Sequence, residues 1–426
     1  MESPLPHLII IADAPGALTS LFGISLLERL LRTLQRCGFR EGVILTNSRE
    51  VKDHLATPSW ARSNLSLTFQ NQKGAMVSVQ DIPVEPDRVL LVSGDYYYDS
   101  RLLDALTRQN STAVLVDSAP PSQCVSLWRN ESKLIGAAAL LHRGWLAQQD
   151  PASAVFDRLV ADSGLGTIQG CDAATIPTYM ADLRKDVRSV FFPLPSRDLL
   201  PVAEGFVRNR AQNGILDIPG QLDSPIEDWI VARICHTAIT PNQVTLITIL
   251  IGVAVTILFA TGHLWWGILL AYAIEVLDGV DGKLARTKVE TTAAGNLEHA
   301  FDFLIQVSWW SALAFHFEKE GLRSAYVLLL LLVGSDLLGQ LARRLVRTVT
   351  GRSLDDSSSF DRFMRRIGAR RNINIWILAG ALLLGQAKNG FVLICWWAVA
   401  TAAVQFIRAL QIWTNRDTPN GRSEMA

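Results

Sequence analysis

The sequence offers little to build a disulfide or zinc framework. Its five cysteines, Cys37, Cys124, Cys171, Cys235 and Cys395, are scattered, with no CxxC pair and no histidine at zinc-ligand spacing. Structural zinc and a cross-linked scaffold are excluded, and the thiols read as reduced packing residues. A charge bias is also lacking. Forty Lys plus Arg offset forty Asp plus Glu, so there is no basic field of the kind a nucleic-acid partner needs, and none is expected. There is no internal repeat and no low-complexity tract. The start, MESPLPHLIIIADAP, has no basic run, and its apolar stretch is too short for a signal peptide; the first half is expected to stay in the cytoplasm. Charged residues are scarce, at 19% of 426, and the mean hydropathy is +0.22. That is apolar for a soluble enzyme and implies membrane-embedded segments.

Hydropathy divides the chain near residue 240. Up to about residue 200 the apolar runs are short: HLIIIADA, EGVILTN, SNLSLTF, RVLLVSGD and STAVLVDS. Amphipathic stretches such as LLERLLRTLQRCGF and SRLLDALTRQ separate them. This alternation predicts an α/β, Rossmann-like domain over residues 1–200 with a mainly parallel sheet. Residues 201–238 read as a connector followed by an interfacial helix, in which Trp229, Ile230, Ile234 and Ala238 share one face. Residues 239–415 hold six apolar runs, near 243–261, 264–280, 295–316, 324–342, 372–387 and 390–412. Each approaches the roughly 20 residues that cross a bilayer core, so an all-α, six-span domain is predicted, with a polar tail at 416–426. The loop after the fourth run carries Arg343, Arg344, Arg347, Arg352, Arg362, Arg365, Arg366, Arg370 and Arg371. The positive-inside rule puts it in the cytoplasm with the N-terminal half.

The most informative stretch is EVLDGVDGKLARTKVETTAAGNLEHAFDF, residues 275–303. Asp278 and Asp281 are three apart and share a helix face at the end of the second run; Glu298 and Asp302 are four apart and share one at the start of the third. Four ionised carboxylates at a bilayer edge repel one another, and Mg²⁺ or Mn²⁺ resolves the conflict with oxygen ligands. The bland alternative pairs these acids with Lys283, Arg286 and Lys288 at a solvated helix end. Gly282 and Ala285 leave room for a bulky ligand beside the helix, and Arg286 suits phosphate. Glu275 lies one turn before Asp278, and Asp336 in the fourth run is expected to pair with an arginine.

This stretch resembles the CDP-alcohol phosphotransferase family, whose signature is D-x2-D-G-x2-A-R-x8-G-x3-D-x3-D. Asp278, Asp281, Gly282, Ala285 and Arg286 match its first half, and ITPNQVT, with Pro241 and Asn242, looks like the family's entry to its first span. The resemblance covers residues 222–415. Strict spacing reaches Gly295 but then His299 and Phe303; deleting one loop residue puts Ala294, Glu298 and Asp302 in register, and that register is preferred. The resemblance implies transfer of a substituted phosphate from a CDP-alcohol donor to a hydroxyl or phosphorylated-alcohol acceptor, with release of CMP. It further implies metal ligation by Asp278, Asp281, Glu298 and Asp302, with Asp302 also the catalytic base. Asn242, Gly282, Ala285 and Arg286 would surround the nucleotide, in a homodimer within the lipid bilayer of the cell membrane, serving phospholipid biosynthesis.

The segment FDRFMRRIGARRNINIWIL resembles family members fused to an N-terminal inositol-phosphate cytidylyltransferase, and Arg347, Arg366 and Arg371 are candidates for an acceptor phosphate. Most of the loop's arginines read as a topology signal touching anionic headgroups. Residues 7–200 resemble a sugar-phosphate nucleotidyltransferase, with Asp95 in RVLLVSGDYYYDSRLLDAL in the place of a metal-binding aspartate. Between Ala12 and Gly23, however, there is no Arg or Lys to balance a triphosphate. A late second aspartate is missing too, unless Asp198 substitutes. The half therefore reads as a degenerate nucleotidyltransferase-like domain, with a bifunctional enzyme that also makes its CDP-alcohol from CTP as the alternative. A six-span transporter or scaffold is the rival from another class; acids lining an ion path need no small-residue platform such as Gly282 and Ala285.

Overall fold

The structure is a computed structural model. It describes residues 4–13, 15–56, 65–74, 76–83, 86–125, 127, 134–193, 196–290 and 295–415, without the side chains of residues 125, 134–136, 295–300 and 415.

Seven strands form the main sheet: β1 (His7–Ile11), β2 (Glu41–Leu45), β3 (Ser66–Gln70), β4 (Arg88–Ser93), β5 (Ala113–Asp117), β6 (Leu134–His142) and β7 (Gln169–Asp172). Their order is β7-β5-β6-β4-β1-β2-β3. The pairings β1 with β2 and β4, β2 with β3, and β5 with β7 are parallel. β6 runs antiparallel between β4 and β5, so the sheet is mixed. The central strands β1, β4 and β5 are largely apolar because both faces are covered, whereas the edge strands β3 and β7 are mostly exposed. On one face, Leu27, Leu30, Leu31 and Leu34 of α1 (Leu26–Arg36) join residues of α2 (Arg49–Ala56) and α3 (Ser100–Thr107) over Leu8, Ile10, Leu90 and Val92. On the other, Val155 and Leu159 of α4 (Val155–Gly164) pack over Ile9, Leu91, Val114 and Leu141. Ser25 starts α1 by accepting the Glu28 N–H at 3.1 Å.

The expected connector contains a helix, α5 (Leu200–Ala211), and the interfacial segment forms α6 (Ile218–Ile234). α6 has an inverted pattern. Its buried positions are Asp223, Glu227 and Val231, whereas Leu222, Ile226 and Trp229 are exposed. Ile230 and Ile234, expected on the Trp229 face, instead pack partly inward. The difference arises because the acids of α6 face a helix with cationic and acidic partners, leaving the apolar face outward.

Each of the six apolar runs is helical: α7 (Pro241–Ala260), α8 (Leu264–Thr287), α9 (Gly295–Lys319), α10 (Ala325–Thr350), α12 (Arg371–Leu383) and α13 (Ala387–Asn415), with the short α11 (Ser359–Ile367) before α12. Among the described residues three of these, α7, α10 and Ala387–Thr414 of α13, are long and apolar enough to cross a membrane; α12 is a shorter apolar helix. ITPNQVT starts α7 through a Thr240–Gln243 capping box with proline in the first turn. The bundle core is built on Trp309, Trp310, Phe259, Phe317 and Phe391. Leu246, Leu250, Leu330, Leu341 and Trp396 remain exposed on its outer faces, as a lipid-facing surface requires.

One apolar cluster joins the sheet half to the first helices of the apolar half. Leu21, Phe22, Leu26 and Phe192 from the sheet half meet Ala203 and Val207 of α5, Val231 and Cys235 at the end of α6, and Val276, Val280 and Leu284 of α8. The sheet half is therefore packed on the helix that carries the carboxylate motif, through α1 and the segments at Leu21 and Phe192.

Candidate active site

The motif lies on the last turns of α8. Asp281 is buried at 4% exposure and accepts the hydroxyl of Thr245 on α7 at 2.9 Å. Asp278, half-buried, accepts the guanidinium of Arg371 at the start of α12. Three helices thus converge on the two acids, and Arg371 also lies 5.7 Å from the ring centre of Trp309 on α9. Thr245 was not singled out by sequence; one turn beyond Pro241 in ITPNQVT, its position on the inner face was the available signal.

The two lysines of this helix end turn elsewhere. Lys283, 3% exposed, bridges Glu227 at 2.9 Å and Asp228 at 2.7 Å on α6. Lys288 donates to the carbonyls of Thr237 and Ile239, and Arg286 Nε donates to the Ala211 carbonyl at 2.6 Å. Lys283 and Lys288 are therefore engaged by groups outside the motif. Gly282 borders Arg286, where an added Cβ would meet the guanidinium at an ordinary 3.4 Å. The close approach is at Gly279, where a Cβ would fall 2.1 Å from the Glu227 carboxyl; the glycine lets α6 lie against α8. Asn242 is exposed in the first turn of α7 and Ala285 is half-buried.

Asp302 is half-buried on α9. The register preferred from sequence also involves Ala294, Glu298 and His299; Ala294 and the side chains of Glu298 and His299 lie outside the described residues. Among the described residues no three or more of His, Cys, Asp and Glu are gathered to hold a metal ion. Glu275 is buried on α8 with its carboxyl facing that of Asp223 on α6.

The arginine loop differs most from expectation. Arg347 reaches out to Asp182 of the sheet half with both side chains largely exposed, and Arg366 is exposed; only Arg371 of the three acceptor candidates touches the motif. The inward arginines are others. Arg365, 8% exposed, pairs with Asp217 at 2.9 Å and Asp355 at 3.4 Å, and Arg370 pairs with Asp355 at 2.7 Å. Burial alone would push the Asp355 carboxyl up, but Arg370, Arg365, Arg343 and Arg184 hold it below its ordinary value. Arg343 and Arg370 line a small cavity with Asn374 and Asp336. Asp336 accepts the amides of Gln306 and Gln340, at 3.4 and 3.2 Å, in place of the arginine expected from sequence. Two glutamines within reach on α9 and α10 satisfy it.

The sequence profile of the CDP-alcohol phosphatidyltransferase family matches residues 238–404. That range begins just before the capping box of α7 and contains Asp278, Asp281, Arg286, Asp302 and Arg371. The C-terminal half carries a CDP-alcohol phosphatidyltransferase domain. A curated relative, the bifunctional IPC transferase and DIPP synthase of Aquifex aeolicus (strain VF5), is 26% identical over 178 residues, 42% of this chain. The chain spans only 40% of that relative's length. Among solved structures, HddC from Yersinia pseudotuberculosis is similar over 47% of this chain and 100% of its own, with 10% identity and a TM-score of 0.34. The inositol-1-phosphate CTP transferase from T. maritima is similar over 48% of this chain and 97% of its own, with 8% identity and a TM-score of 0.33.

The phosphatidyltransferase domain is braced by the sheet half, whose α1 arginines bond the end of α8. Asp95 follows β4, as expected, and accepts the Ser93 hydroxyl. Burial and the nearby Asp95 raise the Asp13 carboxyl above its ordinary value. The cation-free loop ends at Phe22 and Gly23, both at positive φ, and Gly23 presses on the Cys235 carbonyl, where a Cβ would stand at 2.3 Å. This end of the loop is used for packing on α6. Asp198 lies in the short turn just before α5. All five cysteines are free, and four are buried.

Proposed function

We propose that the protein is an integral-membrane transferase that moves a substituted phosphate from a CDP-alcohol to an acceptor hydroxyl and releases CMP. The observation that carries this reading is the pairing of the family match over residues 238–404 with Asp278 and Asp281 on one inner face of α8. The donor types suit a hard cation, since the described acids Asp278, Asp281 and Asp302 offer only carboxylate oxygen, and a metal ion at Asp278 would displace its Arg371 partner. Mg²⁺ or Mn²⁺, held by Asp278, Asp281, Glu298 and Asp302, would neutralise the pyrophosphate and stabilise the leaving CMP.

The chain's own residues do the rest. Asp302 takes the proton of the acceptor hydroxyl. Asn242, Gly282, Ala285 and Arg286 border the nucleotide. Arg371, with Arg343 and Arg370 in place of Arg347 and Arg366, faces the phosphate of a phosphorylated acceptor. Six spans and a cytoplasmic sheet half agree with the helix in each apolar run, the outward apolar face of α6 and the arginine-rich loop. We infer that the sheet half makes no CDP-alcohol, a reading supported by the cation-free loop and its packing on α6. A transporter would leave unexplained the family match and the small residues beside Arg286.

The test is CMP release by the purified full-length protein in nanodiscs, with a panel of CDP-alcohols and acceptors and Mg²⁺ added or chelated. Metal-dependent CMP release supports the reading. Absence of release with every donor, together with ion flux through the same preparation, would overturn it in favour of transport.

A further inference from the structure

Helix α11 has its polarity turned inside out. Asp361 and Arg365 are buried, whereas Phe360 and Phe363 are 49% and 54% exposed and Arg362 and Arg366 are exposed beside them. At about 100° per residue, Phe363 stands opposite the two buried charges. Those charges hold the helix in place. Arg408 of α13 donates to both carboxylate oxygens of Asp361 at 2.9 Å, and Arg365 pairs with Asp217, whose side chain caps α6. The phenylalanines are left outward, as Leu222, Ile226 and Trp229 are on α6.

Contacts with α13 set the depth of α11. Its first turn is held at Arg408, and its last carbonyl, that of Ile367, accepts the indole N–H of Trp397 at 2.9 Å. These anchors are eleven positions apart on a helix long and apolar enough to cross a membrane, about 16 Å of its length. A short helix alongside the polar end of a span sits where headgroups meet acyl chains. The charge it presents there has one sign. All three acids of residues 343–371, Asp355, Asp356 and Asp361, are buried, while Arg344, Arg352, Arg362 and Arg366 are exposed.

We propose that the outer face of α11 is a docking surface for anionic phospholipid, with Phe360 and Phe363 seated in the acyl boundary and Arg362 and Arg366 on headgroup phosphates. The proposal rests on the membrane-spanning reading of α10 and α13 and not on transferase activity. Its consequence is structural. Acidic lipid presses α11 onto α13 and so steadies the loop that holds Asp355 and Arg370.

The unfolding temperature of the full-length protein is compared in nanodiscs of phosphatidylcholine alone and of an equal mixture with phosphatidylglycerol. In a Cys37→Ser background, which leaves only buried cysteines, a fluorophore at Phe363→Cys is challenged with nitroxide-bearing lipid and with aqueous iodide. Phe360→Cys serves should that variant not fold. Leu250→Cys, on the exposed outer face of α7, reports membrane insertion in the same way. Support is quenching at α11 by lipid but not by iodide, with a rise in unfolding temperature in phosphatidylglycerol that Arg366→Gln removes. Arg323→Gln, in the exposed turn before α10, should leave that rise intact. Lipid quenching at Leu250 but not at α11 overturns the proposal and leaves the membrane reading standing; none at either position overturns both. Iodide quenching at α11 places the face in water, and shielding from both quenchers places a second copy or another protein on it. Either result overturns the proposal. So does an unfolding temperature indifferent to phosphatidylglycerol, or a rise that Arg366→Gln leaves unchanged.

Discussion

Arg29 on the first helix of the sheet half donates through Nη1 to the carbonyl oxygen of Thr287, the last residue of α8, at 2.6 Å. Arg32, one turn on, donates to the Lys288 carbonyl at 2.7 Å and pairs with Glu290 at 3.0 Å. A helix C-terminus exposes carbonyls without partners and carries partial negative charge, and two guanidiniums answer both. The sheet half thereby caps the helix that bears Asp278 and Asp281. Arg29→Ala removes two hydrogen bonds from a buried charged donor and is expected to cost about 3 kcal/mol, read as a lower unfolding temperature and reduced CMP release. Unchanged stability and turnover would show that the cap is dispensable.

Asp281→Asn keeps the shape of the side chain and its contact with Thr245 but removes the charge. CMP release should fall at least a hundredfold with the fold intact by thermal unfolding. Asp302→Asn should be more damaging than Glu298→Gln, because Asp302 is proposed as both ligand and base. Activity of Asp281→Asn within a few-fold of wild type would remove the carboxylates from the chemistry.

Arg371 and Arg347 should separate cleanly. Arg371→Gln deprives Asp278 of its partner at the centre of three helices and is expected to raise the acceptor KM or lower kcat at least tenfold. Arg347→Gln breaks an exposed pair worth at most about 1 kcal/mol and should leave kinetics unchanged. Steady-state assays of CMP release decide between them, and equal effects would contradict the geometry.

With CTP and a phosphorylated alcohol, the full-length protein is expected to release no pyrophosphate above background. Release that disappears in Asp95→Ala would establish a second activity in the sheet half.

Acid should loosen the arginine loop. Asp355 and Asp217 are held below their ordinary values because nearby arginines outweigh burial. Their stabilising contribution is fully present above the ordinary value of 3.8 and is lost as pH falls through the lower folded values. The unfolding temperature should therefore drop steeply below about pH 4. At pH 7, Asp355→Asn leaves buried arginines without their counter-charge, at a cost of about 3–5 kcal/mol, and its acid-induced drop should be shallower than wild type. Parallel curves for the two proteins would count against this network.

Local patterns were legible without coordinates. The apolar runs of β1, β2, β4 and β5, the leucines of α1 and the shared face of Asp278 and Asp281 all depend on neighbours within a few residues, where periodicity acts. β6 was missed because LIGAAALLH has neither alternation nor β-branched enrichment; its place between β4 and β5 comes from two distant partners. α5 was missed because its sequence has little amphipathic period.

By itself the sequence determined the composition of each half, the six apolar runs and the acids that a CDP-alcohol transferase motif requires, since these follow from residue type and short spacing. Tertiary structure decided which charges meet. Arg371 rather than Arg347 or Arg366 reached the motif, Asp217 and Asp355 took up the inward arginines, and Lys283 turned to α6. The Arg371–Asp278 and Arg365–Asp217 pairs join residues 93 and 148 positions apart, and a pairing of that length depends on where packed helices bring two side chains, a fact that no local pattern carries.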